Sequence, residues 1–369
     1  MKDANFNEQS YQKQLKNKML LVNKTFPEIH SNDIDLFSSD FINFRMRAEF
    51  RIWHEGNVAH YIMFDKNTKK KYFVECFLPG SKVINKAMPL LMSIINKQQI
   101  LKSKIFQIDF LSTTNDELLI TLIYHKKLCE NWIEAAEALK HELSQNIPHI
   151  DIIGRSKKQK IIIDKDFVTE TFNILNKKFS YKQIENSFTQ PNAKIAEKMI
   201  SWVKQNTKKF NNDLLELYCG NGNFSIALAD NFKNVLATEI SKSSVNAAHF
   251  NTEQNLVQNL KIVRLSAEEF TEAINKKREF NRLKQCNIEL EEYNFQTVLV
   301  DPPRAGLDKN TCQMIASFNN IIYISCNPKT LRENLDTLLK THKIEKFSVF
   351  DQFPYTEHIE CGVILTKLD

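Results

Sequence analysis

The sequence predicts an α/β protein in two parts. A doubly wound, mainly parallel sheet fills the C-terminal half, and a smaller α+β, mainly antiparallel region precedes it. Three observations carry this. Past about residue 190, short apolar runs alternate with helical periods, the rhythm of a sheet with crossover helices on its faces. Before residue 165, apolar alternating runs lie close together and are joined by short polar turns. The charge also divides: residues 1–180 hold 27 Lys and Arg against 21 Asp and Glu, whereas residues 181–369 hold 23 of each, so the whole net excess of +6 lies in the first part. A basic part suits a polyanionic partner, with compositional drift as the competing explanation. The boundary is drawn between 180 and 181, and 369 residues suit two domains of roughly 100–200 residues each.

Residues 8–22 read as an amphipathic helix ending near Pro27, and 28–40 as loop. Strands at 44–54 and 58–64 flank Glu55-Gly56-Asn57, a hairpin turn signal, and 71–77 continues the meander. A helix is expected at 82–99, with Pro89 as a kink or an irregular start. Strands at 104–111 and 118–125 join through a polar connection, 130–145 is helical, and short strands at 150–153 and 160–163 flank the basic turn Arg155-Ser156-Lys157-Lys158. The parallel sheet draws strands from 214–218, 235–239, 260–263, 297–300, 321–325, 344–350 and 362–366, and 276–294 is an extended connection. No apolar run approaches the ~18 residues of a membrane span, and the polar first ten residues lack the apolar core of a secretory signal. The seven cysteines are odd in number and form no C-x-x-C pair. That speaks for reduced thiols in the cytoplasm and against a zinc ribbon or iron–sulfur cluster. Cys76, Cys129, Cys286 and Cys312 read as small buried hydrophobes.

Glycine is scarce, seven residues in the chain, so its placement carries information. Leu214–Tyr218 runs into Cys219-Gly220-Asn221-Gly222-Asn223, a strand opening into a Gly-x-Gly turn and a helix. Glycine lets a backbone turn tightly and approach a ligand. Glu239 closes the next strand, about 20 residues on, where a carboxylate accepts from two ribose hydroxyls. The third glycine of the dinucleotide fingerprint is replaced by Ser225, so S-adenosylmethionine, which has no pyrophosphate to cradle, fits better. A plain structural turn is the alternative.

Asp301-Pro302-Pro303-Arg304-Ala305-Gly306 follows the fourth strand, its prolines stiffening the turn that presents Asp301 and Arg304. The fifth strand ends at Cys326, just before a helix beginning near Pro328. A helix N-terminus and a nearby arginine both favour thiolate, so Cys326 is the candidate nucleophile, with a core thiol as the alternative. Cys219 reads as packing. The polar run 350–360 holds Glu360 and His358, and a structural hydrogen-bonding role suits His358 better than that of a base.

Two of these segments together resemble the uracil-5 methyltransferases of RNA. Asp301-Pro302-Pro303-Arg304-x-Gly306 followed by Tyr323-x-Ser325-Cys326-Asn327-x-x-Thr330 matches that family's nucleophile signature, and Phe350-Asp351-x-Phe353-Pro354-Tyr355-Thr356-x-His358-x-Glu360 matches its second. Gln190-Pro191-Asn192 and the run Arg45–His54 extend the likeness toward the branch acting on bacterial tRNA. The resemblance implies a Rossmann-like class I methyltransferase sheet and S-adenosylmethionine as methyl donor, held by Gln190, Tyr218, Asn223, Glu239 and Asp301. It implies Cys326 as nucleophile, Glu360 as the base that removes the carbon-5 proton, and Arg304 on the target uracil. Neither metal nor iron–sulfur cluster is implied. The scarcity of cysteines before the cofactor turn favours tRNA, at position 54 of the T-loop, and the T-loop-like arm of tmRNA. Ribosomal 23S RNA and a role as an RNA-binding or folding factor are the alternatives. Arg51, Phe106 and His125 are the expected RNA contacts in the basic half, against readings as solvated charge or core. Phe188 is expected either in the flipped-base pocket or in the core. A cytoplasmic monomer is expected.

Overall fold

Every strand expected in the C-terminal half forms, and a further strand that the sequence hides completes an eight-stranded sheet. Across the sheet run Ile34–Phe37, His342–Phe350, Glu360–Lys367, Asn320–Ser325, Phe295–Val300, Asp213–Leu217, Val235–Thr238 and Leu260–Val263. All neighbours pair in parallel except Glu360–Lys367, which is antiparallel to both of its neighbours. The computed structural model describes residues 6–65 and 67–368.

Ile34–Phe37 lies inside the segment read as loop. It is only four residues long and half exposed, so it carries no period of its own. It is held from a distance, by parallel pairing with Phe347–Phe350 and by the Trp202 indole N–H donating to Asp35 at 2.8 Å. The core of this sheet is built from residues such as Leu215, Leu236, Val298, Ile321, Tyr323 and Val363, with Val22 of the helix Glu8–Thr25 and Phe26 just beyond its end packed in.

A second, seven-stranded sheet takes Lys71–Phe73, Val58–Phe64, Arg47–Glu55, Ile105–Ser112, Leu118–Tyr124, Ile150–Ser156 and Gln159–Ile162 in that order. Its pairs are antiparallel except Leu118–Tyr124 with Ile150–Ser156, which the helix Glu130–Ser144 connects. Pro89 does not end its helix, which runs Lys82–Lys97. Its face buries Val83, Ile84, Ala87, Met88, Leu91, Ile94 and Ile95. At ~1.5–3 kcal/mol for each large side chain, that burial outweighs the ~3 kcal/mol an interior proline costs.

The sequence reading also passes over a hairpin, Phe167–Ile174 with Lys177–Ile184. Its two-residue turn, Leu175-Asn176, has φ of 48° and 68°, left-handed at both positions without a glycine to announce it.

Two units follow, and neither is continuous. One comprises Asp40–Thr171, Gln183–Ala193 and the N-terminal residues through Tyr11. The other comprises Gln12–Ser39, Phe172–Lys182 and Lys194–Asp369. A single cut at 180 therefore does not describe them. Among the described residues no helix is long and apolar enough to cross a membrane, and no cluster of side chains has the makings of a metal site.

Candidate active site

In a parallel sheet, strand ends of one sense lie along one edge, where ligands of such sheets bind. Here that edge carries Tyr218 after Asp213–Leu217, Glu239 after Val235–Thr238, Asp301 after Phe295–Val300 and Cys326 after Asn320–Ser325. The antiparallel strand enters from the same edge: Cys361 pairs with Ser325, and Glu360 with Phe350. Reversal of this one strand is what brings Glu360, 34 positions downstream in sequence, to the Cys326 end of the sheet.

The cofactor turn is left-handed at three places, Tyr218 (φ 62°), Gly220 (57°) and Gly222 (84°). A Cβ on Gly222 would lie 2.7 Å from Ile226 Cδ1, whereas one on Gly220 would meet nothing within 4 Å, so the turn is tight behind and open in front. Glu239 braces it. Its Oε2 accepts from the Gly220 N–H at 3.1 Å and its Oε1 from the Ser241 N–H at 2.7 Å. Each carboxylate oxygen keeps a second lone pair for a ribose hydroxyl. Asn223 is half-buried, and its carbonyl accepts from the Tyr181 hydroxyl at 3.2 Å.

Two groups here escaped the sequence reading. Ile240 is 59% exposed directly after Glu239, an apolar surface beside that carboxylate. An apolar residue following a strand-ending acid is the signal that could have found it. Glu216 is fully buried, which pushes its carboxyl up to about 8 against a downward pull from Ser225, with Asp301 and Glu239 adding to the rise, and its Oε2 has no hydrogen-bond partner. An open front, an unpartnered buried oxygen and a ribose-type carboxylate together fit S-adenosylmethionine. Cys219 is buried, as expected, and its thiol is pushed far up by that burial.

The Asp301–Leu307 loop is locked to the helix Pro328–Leu338. Asn334 Oδ1 accepts from the Leu307 N–H at 3.0 Å and the Tyr323 hydroxyl at 2.8 Å, and its Nδ2 donates to the Leu307 carbonyl at 3.2 Å. Gly306, at φ 75°, sits where a Cβ would fall 2.9 Å from that Oδ1. The Arg304 carbonyl accepts from Asn327 Nδ2 at 3.0 Å and Thr330 Oγ1 at 3.3 Å, while its guanidinium lies 3.4 Å from His358 Nε2. His358 is exposed.

The electrostatics of Cys326 differ from the sequence expectation. The thiol is pushed up to about 11, first by burial, then by Glu360 and Asp301, against a smaller downward pull from Arg304. The thiol is therefore protonated at neutral pH, because burial and two carboxyl groups outweigh one guanidinium. Those carboxyls are perturbed as well. Burial lifts Glu360 well above the usual range, Asp301 lifts it further and Arg304 opposes the rise; burial also lifts Asp301, which keeps partial solvent contact. Close carboxyls of this kind share protons, so the pair is at most partly ionised near neutrality.

The loop between the two motif strands is pinned by a contact that sequence separation conceals. Lys18 Nζ pairs with Asp351 Oδ1 at 2.6 Å and donates to the Phe353 carbonyl at 2.8 Å, and Gln14 donates to Asp351 Oδ2 at 3.0 Å. Both ionic groups are buried.

The remaining expected residues lie in the other unit. Gln190 is half-buried and Phe188, at 72% exposure, is no core residue. Their segment is held by the Met46 N–H donating to the Pro191 carbonyl and Arg47 Nη2 to the Ser187 carbonyl, both at 2.8 Å. Arg51, Phe106 and His125 come together as a cluster: the Arg51 guanidinium lies 4.0 Å from the Phe106 ring centroid, and the Phe106 and His125 ring centroids are 4.0 Å apart with the rings tilted by 54°. A register shift between Ile105 and Gln107 turns Phe106 out of the core alternation. Cys76, Cys129 and Cys286 are exposed rather than buried; only Cys312 of that group is buried. The first three sit in loops or at helix ends, where apolar character does not dictate burial.

A family model described as tRNA (Uracil-5-)-methyltransferase matches residues 10–368. A Vibrio cholerae protein named tRNA/tmRNA (uracil-C(5))-methyltransferase is 50% identical over 367 residues, 100% of either chain. Its Colwellia psychrerythraea namesake is 54% identical over 358 residues, 97% of this chain and 98% of the other. Among solved structures, that of the Pyrococcus abyssi tRNA (uracil-54, C5)-methyltransferase with S-adenosyl-L-homocysteine superposes with a TM-score of 0.73 at 20% identity, over 96% of this chain and 83% of that one, a likeness of fold. The matched motifs, the full-length relatives and the sheet edge agree, and the chain belongs to the tRNA (uracil-5-)-methyltransferase family.

Proposed function

We propose that this enzyme methylates carbon-5 of the uridine at position 54 in the T-loop of tRNA, and the T-loop-like arm of tmRNA, through a covalent Cys326–uracil adduct. The observation that carries this is the meeting of Cys326, Glu360, Asp301 and Arg304 at one edge of the sheet, beside a cofactor turn. S-adenosylmethionine supplies an electrophilic methyl group, with Tyr218, Asn223, Glu239, Asp301 and Gln190 as its holders and Ile240 as an apolar surface for its adenine.

Uracil carbon-5 is too weak a nucleophile to take that methyl unaided. Cys326 loses its proton to the ionised member of the Asp301–Glu360 pair, from which the proton passes to solvent. The thiolate adds to carbon-6, and the electron pair of the 5,6 double bond moves onto carbon-5 and the 4-oxygen. Arg304 donates to the uracil and stabilises the charge that develops. Once carbon-5 carries the methyl, Glu360 removes its remaining proton, the double bond re-forms and the Cys326 thiolate leaves. The unit holding Arg51, Phe106, His125 and Phe188 contributes RNA contacts, with rings replacing the stacking that a T-loop base loses when exposed. The proposal is of a monomer acting in the cytoplasm.

Incubation with tRNA transcript and labelled S-adenosylmethionine, followed by nucleoside mapping, tests it. The expected product is 5-methyluridine at position 54 alone, absent with Cys326→Ala. Product at another base, or preference for ribosomal RNA in competition, would overturn the assignment.

A further inference from the structure

The strand Arg47–Glu55 places Arg51 and Trp53 two positions apart, hence on one face of the sheet. That face borders an open groove of about 660 Å³, within the roughly 300–1,000 Å³ of sites that enclose sizeable ligands. Arg51, Trp53, Phe64, Lys104, Phe106 and His125 line it, and among the described residues no carboxylate does. Trp53 is 42% exposed and Phe64 56%, in contrast to the other two tryptophans, Trp132 and Trp202, which are buried. The Lys71 ammonium lies 3.0 Å from the Trp53 ring centroid, so a cation already accompanies that ring, as Arg51 accompanies Phe106. Part-exposed aromatic rings accompanied by cations, in a groove whose described lining residues include no acid, complement single-stranded nucleic acid: every base offers a π-face, and the cations meet phosphate.

We propose that Trp53, with Phe64, Lys71 and Lys104, forms a second nucleobase-stacking subsite, so that the groove holds a further unstacked nucleotide of the RNA next to those taken by Arg51, Phe106 and His125. This deepens the RNA-binding role proposed above for those three residues and rests on it only for the identity of the RNA. The subsite is sequence-tolerant, because stacking and phosphate pairing read no base edge.

Acrylamide quenching of the full chain tests it, since acrylamide reaches Trp53 in preference to the two buried indoles. Saturation with single-stranded oligouridylate, fixed independently by filter binding, is expected to lower Trp53 emission and cut the quenching constant at least about twofold. Trp53→Leu should weaken oligouridylate binding about tenfold, within the range for loss of one base–aromatic stack, and Trp53→Phe should restore most of it. Unchanged quenching at RNA saturation overturns the subsite and leaves the Arg51–Phe106–His125 reading standing. Wild-type binding by Phe106→Ala and Arg51→Ala with Trp53 still protected removes that reading and keeps the subsite. Absence of any oligouridylate binding overturns the subsite, as does concentration-dependent protection of Trp53 without RNA, which assigns the patch to self-association.

Discussion

Around Cys326, burial, two carboxyl groups and one guanidinium compete, and the thiol form wins. Its pKa is raised, so the thiolate is scarce at neutral pH and grows about tenfold per pH unit until about 11. Iodoacetamide labelling of Cys326, followed by peptide mass spectrometry because Cys76, Cys129 and Cys286 are exposed, should accelerate in that way from pH 7 to 10. Arg304→Met should slow it several-fold at fixed pH by removing the one charge that favours thiolate. A labelling plateau below pH 8 would contradict this ordering of charges. Glu360→Gln should accumulate a denaturation-resistant RNA adduct, because addition and methyl transfer proceed while the carbon-5 proton stays in place. Normal turnover without such an adduct would count against Glu360 as the base. The identities of both groups are legible in the sequence, since motif residues are local. The thiol's ionisation is not, because it depends on carboxylates that only the folded sheet edge brings near.

Elements were legible where their own period declares them. The seven expected strands of the parallel sheet each carry a run of buried residues, and each forms. Ile34–Phe37 and the hairpin around Leu175-Asn176 were not, since one is defined by its neighbour and the other turns without glycine. The same limit hides Lys18, whose partner Asp351 lies 333 positions away. Burial pulls the Lys18 ammonium down from its ordinary value against the opposing pull of Asp351, so the pair stands on mutual contact in a desolvated place. Breaking a buried ion pair by removing one partner costs ~3–5 kcal/mol, whereas replacing both with apolar groups is often neutral. Lys18→Met should therefore lower the urea midpoint markedly, and Lys18→Met with Asp351→Leu should recover much of it. Equal destabilisation by the single and double variants would show that the pair does more than balance charge.

At the scale of the whole molecule, the basic excess acquires a limit. Much of the charge in the RNA-directed unit is already committed within it. Arg155 pairs with Glu185 at 2.6 Å, Lys160 with Asp166 at 2.7 Å and Lys140 with Asp151 at 2.7 Å, while Arg47 donates to a backbone carbonyl. That unit holds 21 Lys and Arg against 19 Asp and Glu, net +2, so the excess of +6 is shared by both units, and it is the whole molecule that can meet on the order of six phosphates. If about six phosphates are neutralised, each displaces counterion, and the log–log slope of affinity against salt is about −4 at the single-strand value per phosphate. Raising salt from 50 to 200 mM should then weaken tRNA binding roughly 300-fold. Binding of S-adenosylmethionine has no such polyanion to release ions from, so it should change less than about twofold over the same range. Filter binding for RNA and calorimetry for the cofactor give both slopes on one preparation. An RNA slope shallower than about −1 would mean that the basic excess is compositional drift and that stacking alone holds the substrate. A steep slope for the cofactor as well would mean that salt perturbs the fold, and the two curves together separate these cases.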